Sequence, residues 1–313
     1  MENITEFHFN LSVYVNIGFY RYPAFALGFL LFAIIVCANL LIILVISRER
    51  TLHEPMYVFV AFLSVNSLYG SAGFFPRFLM DLLSDTHLIS RPACFTQMYI
   101  IYTYASYEMT ILSIMAYDRY VAVCDPLHYH SKMTPKTVSK LAAFAWICPA
   151  ISVGLCLYLT IRLPLCGSKV QKLYCAIWNV AKLSCETTFI NNVVGLFVTI
   201  ISVFLPLLYV LYTYFRIILV CRRSSSDFKR KVFQSCFPHT ILFVNYSVHV
   251  FCDITLSRLN IENLNPFFAV ILSLEFVMIP PILNPLIYGL KLPEIRRYIW
   301  KLLCLTISHK TTL

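Results

Sequence analysis

Seven apolar stretches limit what this chain can fold into: residues 23–46, 56–83, 94–123, 138–159, 191–220, 232–256 and 266–290. Each is long enough to carry a helix across about 30 Å of hydrocarbon at 1.5 Å per residue. In lipid a backbone must satisfy its own N–H and C=O groups, so such a chain folds as a helix bundle. Composition agrees: 59% of the residues are hydrophobic and 13% charged, where a soluble domain carries about a quarter charged residues. Polar side chains inside the runs, among them Asn39, Asn66, Ser67, Glu108, Ser202, His239, Asn245 and Asn284, belong on the bundle interior, because lipid offers them no partner.

The net charge of +10 would point to nucleic acid in a soluble protein. Here position explains it instead. Of the 25 Lys and Arg, 17 fall in segments on the side opposite the N-terminus, from Arg48 and Arg50 through Lys229, Arg230 and Lys231 to Lys310. The positive-inside rule then places the C-terminus in the cytoplasm and the N-terminus outside. Two glycosylation sequons, at Asn3 and Asn10, fall in the first 22 residues and agree independently. The expected layout is a glycosylated outer tail (1–22), a membrane domain (23–290) and a cytoplasmic segment (291–313). In that last segment Ile295, Ile299, Leu302 and Leu303 share a face, as in an amphipathic helix on the inner leaflet, and Cys304 after it is a candidate palmitoylation site. Phosphate loops, zinc-type Cys pairs and metalloprotease motifs are missing, so no enzyme and no cofactor is expected.

Four of the twelve cysteines lie on the outer side: Cys94, Cys166, Cys175 and Cys185. An even number in an oxidising space implies two disulfides, and four cysteines allow three pairings.

The third run ends in Met115-Ala116-Tyr117-Asp118-Arg119-Tyr120-Val121-Ala122-Val123-Cys124-Asp125-Pro126-Leu127-His128-Tyr129. An arginine leaving a bilayer needs a partner, and Asp118 is the adjacent one. The string resembles the third-helix end and second cytoplasmic loop of rhodopsin-like G-protein-coupled receptors, and within them the olfactory receptors, with Val123 in place of Ile. Lys231-Val232-Phe233-Gln234-Ser235-Cys236-Phe237-Pro238-His239 is similar to the olfactory signature at the inner end of helix six, with four departures. Pro281-Ile282-Leu283-Asn284-Pro285-Leu286-Ile287-Tyr288 matches the family pattern of helix seven. The implied fold is an all-α membrane protein, a seven-transmembrane bundle with a short amphipathic eighth helix. Two alternatives were weighed: a non-olfactory rhodopsin-like receptor for a lipid or peptide, and a membrane transporter or channel. A transporter would show repeats and interrupted midplane helices, which this sequence lacks.

The resemblance implies further assignments. It pairs Cys94 with Cys175 and Cys166 with Cys185. It makes Asp118, Arg119, Tyr120, Tyr214, Lys231, His239, Asn284, Pro285 and Tyr288 the coupling and switch residues, with Tyr214 and Tyr288 stabilising Arg119 after activation. The expected partners are a small-molecule odorant, membrane lipid and a stimulatory, olfactory-type heterotrimeric G protein in the plasma membrane. An outer-half pocket falls to Ile101, Tyr102, Ala105, Ser106, Val198, Ser202, Val250, Phe251, Ile254, Leu274 and Val277.

Spacing adds a geometry of its own. Ile101, Ala105, Glu108, Leu112, Met115 and Arg119 recur at intervals of three and four and so form one helical stripe. Along it Glu108 lies about 16 Å and Ile101 about 27 Å from Arg119. Glu108 is a candidate sodium ligand, although Ser67 stands where related receptors carry a second acid. Arg258, about 28 Å beyond His239 on its helix, belongs at the pocket rim, where a guanidinium can grip a carboxylate. The expected ligand is therefore small, largely apolar and acidic.

Overall fold

The computed structural model describes residues 8–12, 18–222, 224–258 and 266–310. Asn3 and Arg223 lie outside them, as do the side chains of Lys231, Pro238, Lys291, Cys304 and Lys310. Each apolar run forms one helix: α1 (Arg21–Arg48), α2 (Pro55–Leu83), α3 (Arg91–Cys124), α4 (Pro135–Ile161), α5 (Phe189–Arg222), α6 (Ser226–Arg258) and α7 (Pro266–Lys291). The helix α8 (Pro293–Lys310) follows. Capping sets several of the starts. The hydroxyl of Ser90 accepts from the Ala93 N–H to open α3, and that of Thr134 accepts from the Thr137 N–H to open α4, each with a proline in the first turn.

Four helices among the described residues are long and apolar enough to cross a membrane by composition: Gly18–Arg48, Pro55–Leu83, Pro135–Ile161 and Phe189–Arg222. Their outward faces carry large exposed apolar side chains such as Phe29, Ile151 and Phe197, which water would penalise and lipid would not. α3 is too polar to meet that criterion, and its position explains why. It runs between α2, α4, α5 and α6, so its Gln97, Thr103, Glu108 and Asp118 are buried against protein rather than lipid. The stripe expected on α3 is buried from Ile101 through Met115.

Three features depart from the sequence reading. The N-terminal segment contains a strand that hydropathy does not show: β1 (His8–Leu11) inserts between β2 (Leu88–Ser90) and β3 (Lys169–Val170), with Phe9 and Leu11 fully buried. Period-2 alternation over four residues was too short to stand out. α6 begins at Ser226, ahead of the apolar run at 232, because its first turns are charged and hydropathy does not register them. α5 contains a π-helical stretch, Ile200–Phe204, which has no composition signal.

Candidate functional site

The Arg258 end of the bundle is roofed. Cys94 of α3 is bonded to Cys175 and Cys166 to Cys185, which fastens the segment between α4 and α5 over the helices. The Cys175 N–H donates to Gln97 Oε1 on α3 at 3.1 Å. Lys172 of the roof pairs with Asp253 of α6, and Tyr174 donates to the same carboxylate oxygen at 3.3 Å. Beneath the roof lies a cavity of about 120 Å³. Its wall includes Tyr102, Ala105, Ser106, Val198, Ser202, Val250, Ile254 and Arg258, with Ile177, Trp178 and Ala181 from the roof.

Its electrostatics are uneven. Asp253 and Arg258 are the charged residues on the wall, and Lys172 already neutralises Asp253. Arg258 instead donates to the neutral Asn192 side chain and lies 4.9 Å from the Trp178 ring centroid. Trp178 Nε1 and Asn191 Nδ2 are buried on the same wall with no hydrogen-bond partner among the described residues. At the roof, burial and then the nearby Arg258 charge lower the Lys182 amine below its ordinary value. This end of the cavity carries the Arg258 positive charge on its wall.

At mid-height α2, α3 and α7 meet through Glu108. One carboxylate oxygen accepts from Asn66 Nδ2 and the other from Asn284 Nδ2, both at 2.8 Å, and Asn284 Nδ2 also reaches Ser67 Oγ at 3.1 Å. Gly70 lets α2 approach here, since a Cβ would collide with the Tyr104 ring.

At the far end Arg119 Nε donates to Asp118 Oδ2 at 3.0 Å, and Tyr129 donates to Asp118 Oδ1 at 2.8 Å. His239 Nε2 donates to the Leu112 carbonyl at 2.8 Å, so in the neutral imidazole Nδ1 accepts from the Tyr214 hydroxyl. Asp125, just past α3, contacts Lys132 and His128, which in that order hold its carboxyl below the usual range.

A family model described as olfactory receptor matches residues 28–306. Olfactory receptor 2K2 of Homo sapiens is 29% identical, covering 96% of this chain and 96% of its own length. Olfactory receptor 6N1 of Homo sapiens is 34% identical over 87% of each chain. Olfactory receptor-like protein OLF4 of Canis lupus familiaris is 31% identical over 95% of this chain and 96% of its own.

The chain belongs to the olfactory receptor family. It is thus a membrane-embedded, odorant-sensing receptor that couples to G proteins, and not an enzyme. Membership decides against the lipid or peptide receptor and the transporter weighed above.

In this olfactory receptor the expected pocket residues divide. Ile101, Phe251, Leu274 and Val277 are absent from the cavity wall. Ile101 and Val277 are fully buried in the core, Leu274 packs beside that core, and Phe251 faces outward against Phe204. These four lie on other faces of their helices, and depth along a sequence carries no azimuth. Tyr214 is bonded to His239 rather than to Arg119. Pro285 and Tyr288 are buried in α7, the Tyr288 hydroxyl without a described partner, and Tyr120 is half-buried. Among the described residues no cluster of three His, Cys, Asp or Glu side chains exists, so a cation at Glu108 would rely on amide and hydroxyl oxygens. Asn66 Oδ1, Asn284 Oδ1 and Ser71 Oγ are buried without a described partner and are of the right chemistry. The sequence reading missed Trp178, Asn191 and the Lys172–Asp253 pair. The acid Asp253 near the end of α6 and the lysines between α4 and α5 were the available signals.

Proposed function

We propose that the cavity beneath the roof binds a small, largely apolar odorant carrying an acid group, and that binding activates a stimulatory G protein. Seven helices, α1–α7, cross the plasma membrane with the N-terminus outside, and α8 lies on the inner leaflet with Ile295 inward and Arg296, Arg297 and Lys301 exposed. Asn10 alternates with the buried Phe9 and Leu11, which turns it away from the core and suits glycosylation, as proposed also for Asn3. On activation α6 swings out, Asp118 and Arg119 separate, and Tyr214 and Tyr288 take up Arg119, while Lys231, Tyr120 and the Asn284-Pro285 bend serve the coupling end. Glu108 is the proposed cation ligand between the two ends.

One observation carries the acid reading: Asp253 is neutralised by Lys172, while Arg258 on the same cavity wall donates to the neutral Asn192 side chain. A carboxylate can accept from the Arg258 guanidinium, and a charge-assisted bond is about twice as strong as a neutral one. The test is cyclic AMP in transfected cells exposed to an odorant panel that includes carboxylic acids. Acids should be the active class, and Arg258→Ala should weaken their responses about tenfold or more. Unchanged acid responses in Arg258→Ala would sink the acid reading, and a response through another messenger would sink the stimulatory coupling.

A further inference from the structure

A second cavity opens on the outer surface of α3, α4 and α5, with a volume of about 1030 Å³. Thr110, Ser113, Leu155, Phe197, Ile201 and Tyr209 are among its walls, and no charged residue lines it. The hydroxyls of Thr110, Ser113, Ser152 and Ser202 each donate to the carbonyl one turn back in their own helix, so they offer no free donor. With no charge on its walls, the groove offers an ion no counter-charge. A neutral hydrocarbon molecule gains by binding here, because Ile151, Leu155, Phe197 and Ile201 are exposed around it.

Three residues belong to both cavities: Ser106 of α3 and Val198 and Ser202 of α5. They are the partition between the groove and the roofed cavity. Ser202 sits in the π-helical stretch Ile200–Phe204, where the wider backbone turn gives α5 a place to shift. The described roof is held in place. Two disulfides, the Lys172–Asp253 pair and the three-stranded sheet hold the roof, and Ile177, Trp178 and Ala181 form its underside.

We infer that the groove is a binding site for an uncharged alkyl molecule dissolved in the bilayer, and that such a molecule enters the roofed cavity sideways between α3 and α5 at Ser106, Val198 and Ser202. An acid uses this route in its protonated, uncharged form. The inference rests on the roofed cavity being the ligand site.

The test uses the full-length receptor in lipid nanodiscs and a ten-carbon alcohol bearing a photoactivated diazirine. Covalent labelling is followed over time on peptides carrying groove residues (Leu155, Ile201) and cavity residues (Met109, Val250). In the wild type both sets should be labelled, the groove first. Leu155→Trp with Ile201→Trp fills the groove without touching the cavity wall, and should slow cavity labelling at least fivefold while leaving its plateau unchanged. Val248→Trp, lipid-facing on α6, should behave as wild type. If the double variant misfolds and loses its plateau, Ser152→Phe makes the same comparison with a smaller plug. Cavity labelling at an unchanged rate overturns the side route and leaves the cavity as ligand site. Groove labelling with no cavity labelling in the wild type overturns both.

Discussion

The side-chain amide of Asn39 donates to the backbone carbonyl of Pro281 at 3.0 Å. Proline has no N–H, so Pro285 leaves the carbonyl four residues earlier without its helical donor, and that carbonyl is Pro281's. Asn39 also reaches the Ile35 carbonyl on its own helix at 2.9 Å. A residue of α1 therefore closes the gap that the Asn284-Pro285 bend opens in α7.

Asn39→Ala should leave a buried carbonyl unpaired and cost about 1–3 kcal/mol. The melting temperature of the purified receptor checks this. No change would mean that water or a neighbour already serves Pro281.

His239 ties α6 to the Leu112 carbonyl of α3 and to Tyr214 of α5. A net hydrogen bond is worth about 1 kcal/mol, which is about fivefold in an equilibrium. His239→Phe should raise agonist-independent signalling at least fivefold, corrected for surface expression. Tyr214→Phe removes one bond of the tie and also the hydroxyl proposed to take up Arg119, so its basal signalling should stay below that of His239→Phe. A silent His239→Phe receptor with normal surface expression would show that the tie does not restrain α6.

Lys172 and Asp253 are nearly buried, with 11% and 8% of their side chains exposed. Breaking such a pair on one side leaves an uncompensated charge, typically about 3–5 kcal/mol. Asp253→Asn should therefore loosen the roof strongly, and Lys172→Met added to it should restore part of the loss. A double-mutant cycle on melting temperatures reads this directly, and additive effects would deny the coupling.

Glu108 is the carboxylate at the junction of α2, α3 and α7. The wild type should melt higher in sodium chloride than in choline chloride at equal ionic strength, and Glu108→Gln should melt alike in both. Equal melting of the wild type in the two salts removes sodium from the site.

Asp125 provides a pH dependence. Lys132 first, and His128 second, lower its folded-state pKa, so its contribution is complete above the ordinary carboxylate value of about 4 and fades as pH falls through the lower folded value. The protection factors of residues 126–132 against hydrogen exchange should hold near neutrality and fall only below about pH 4. In Asp125→Asn they should be low throughout.

Hydrophobic run length determined the number and position of α1–α7, because each run satisfies its own backbone and needs no distant partner. Local strings did the same for the Asp118-Arg119 pair and for the Pro285 bend, whose residues are adjacent in the chain. Tertiary structure alone decided the azimuth of Ile101, Phe251, Leu274 and Val277, the pairing of Lys172 with Asp253, the insertion of β1 and the π-helical stretch of α5. Each of these depends on which face of one element meets another. The period of a helix fixes which residues share a face, but only packing chooses where that face points.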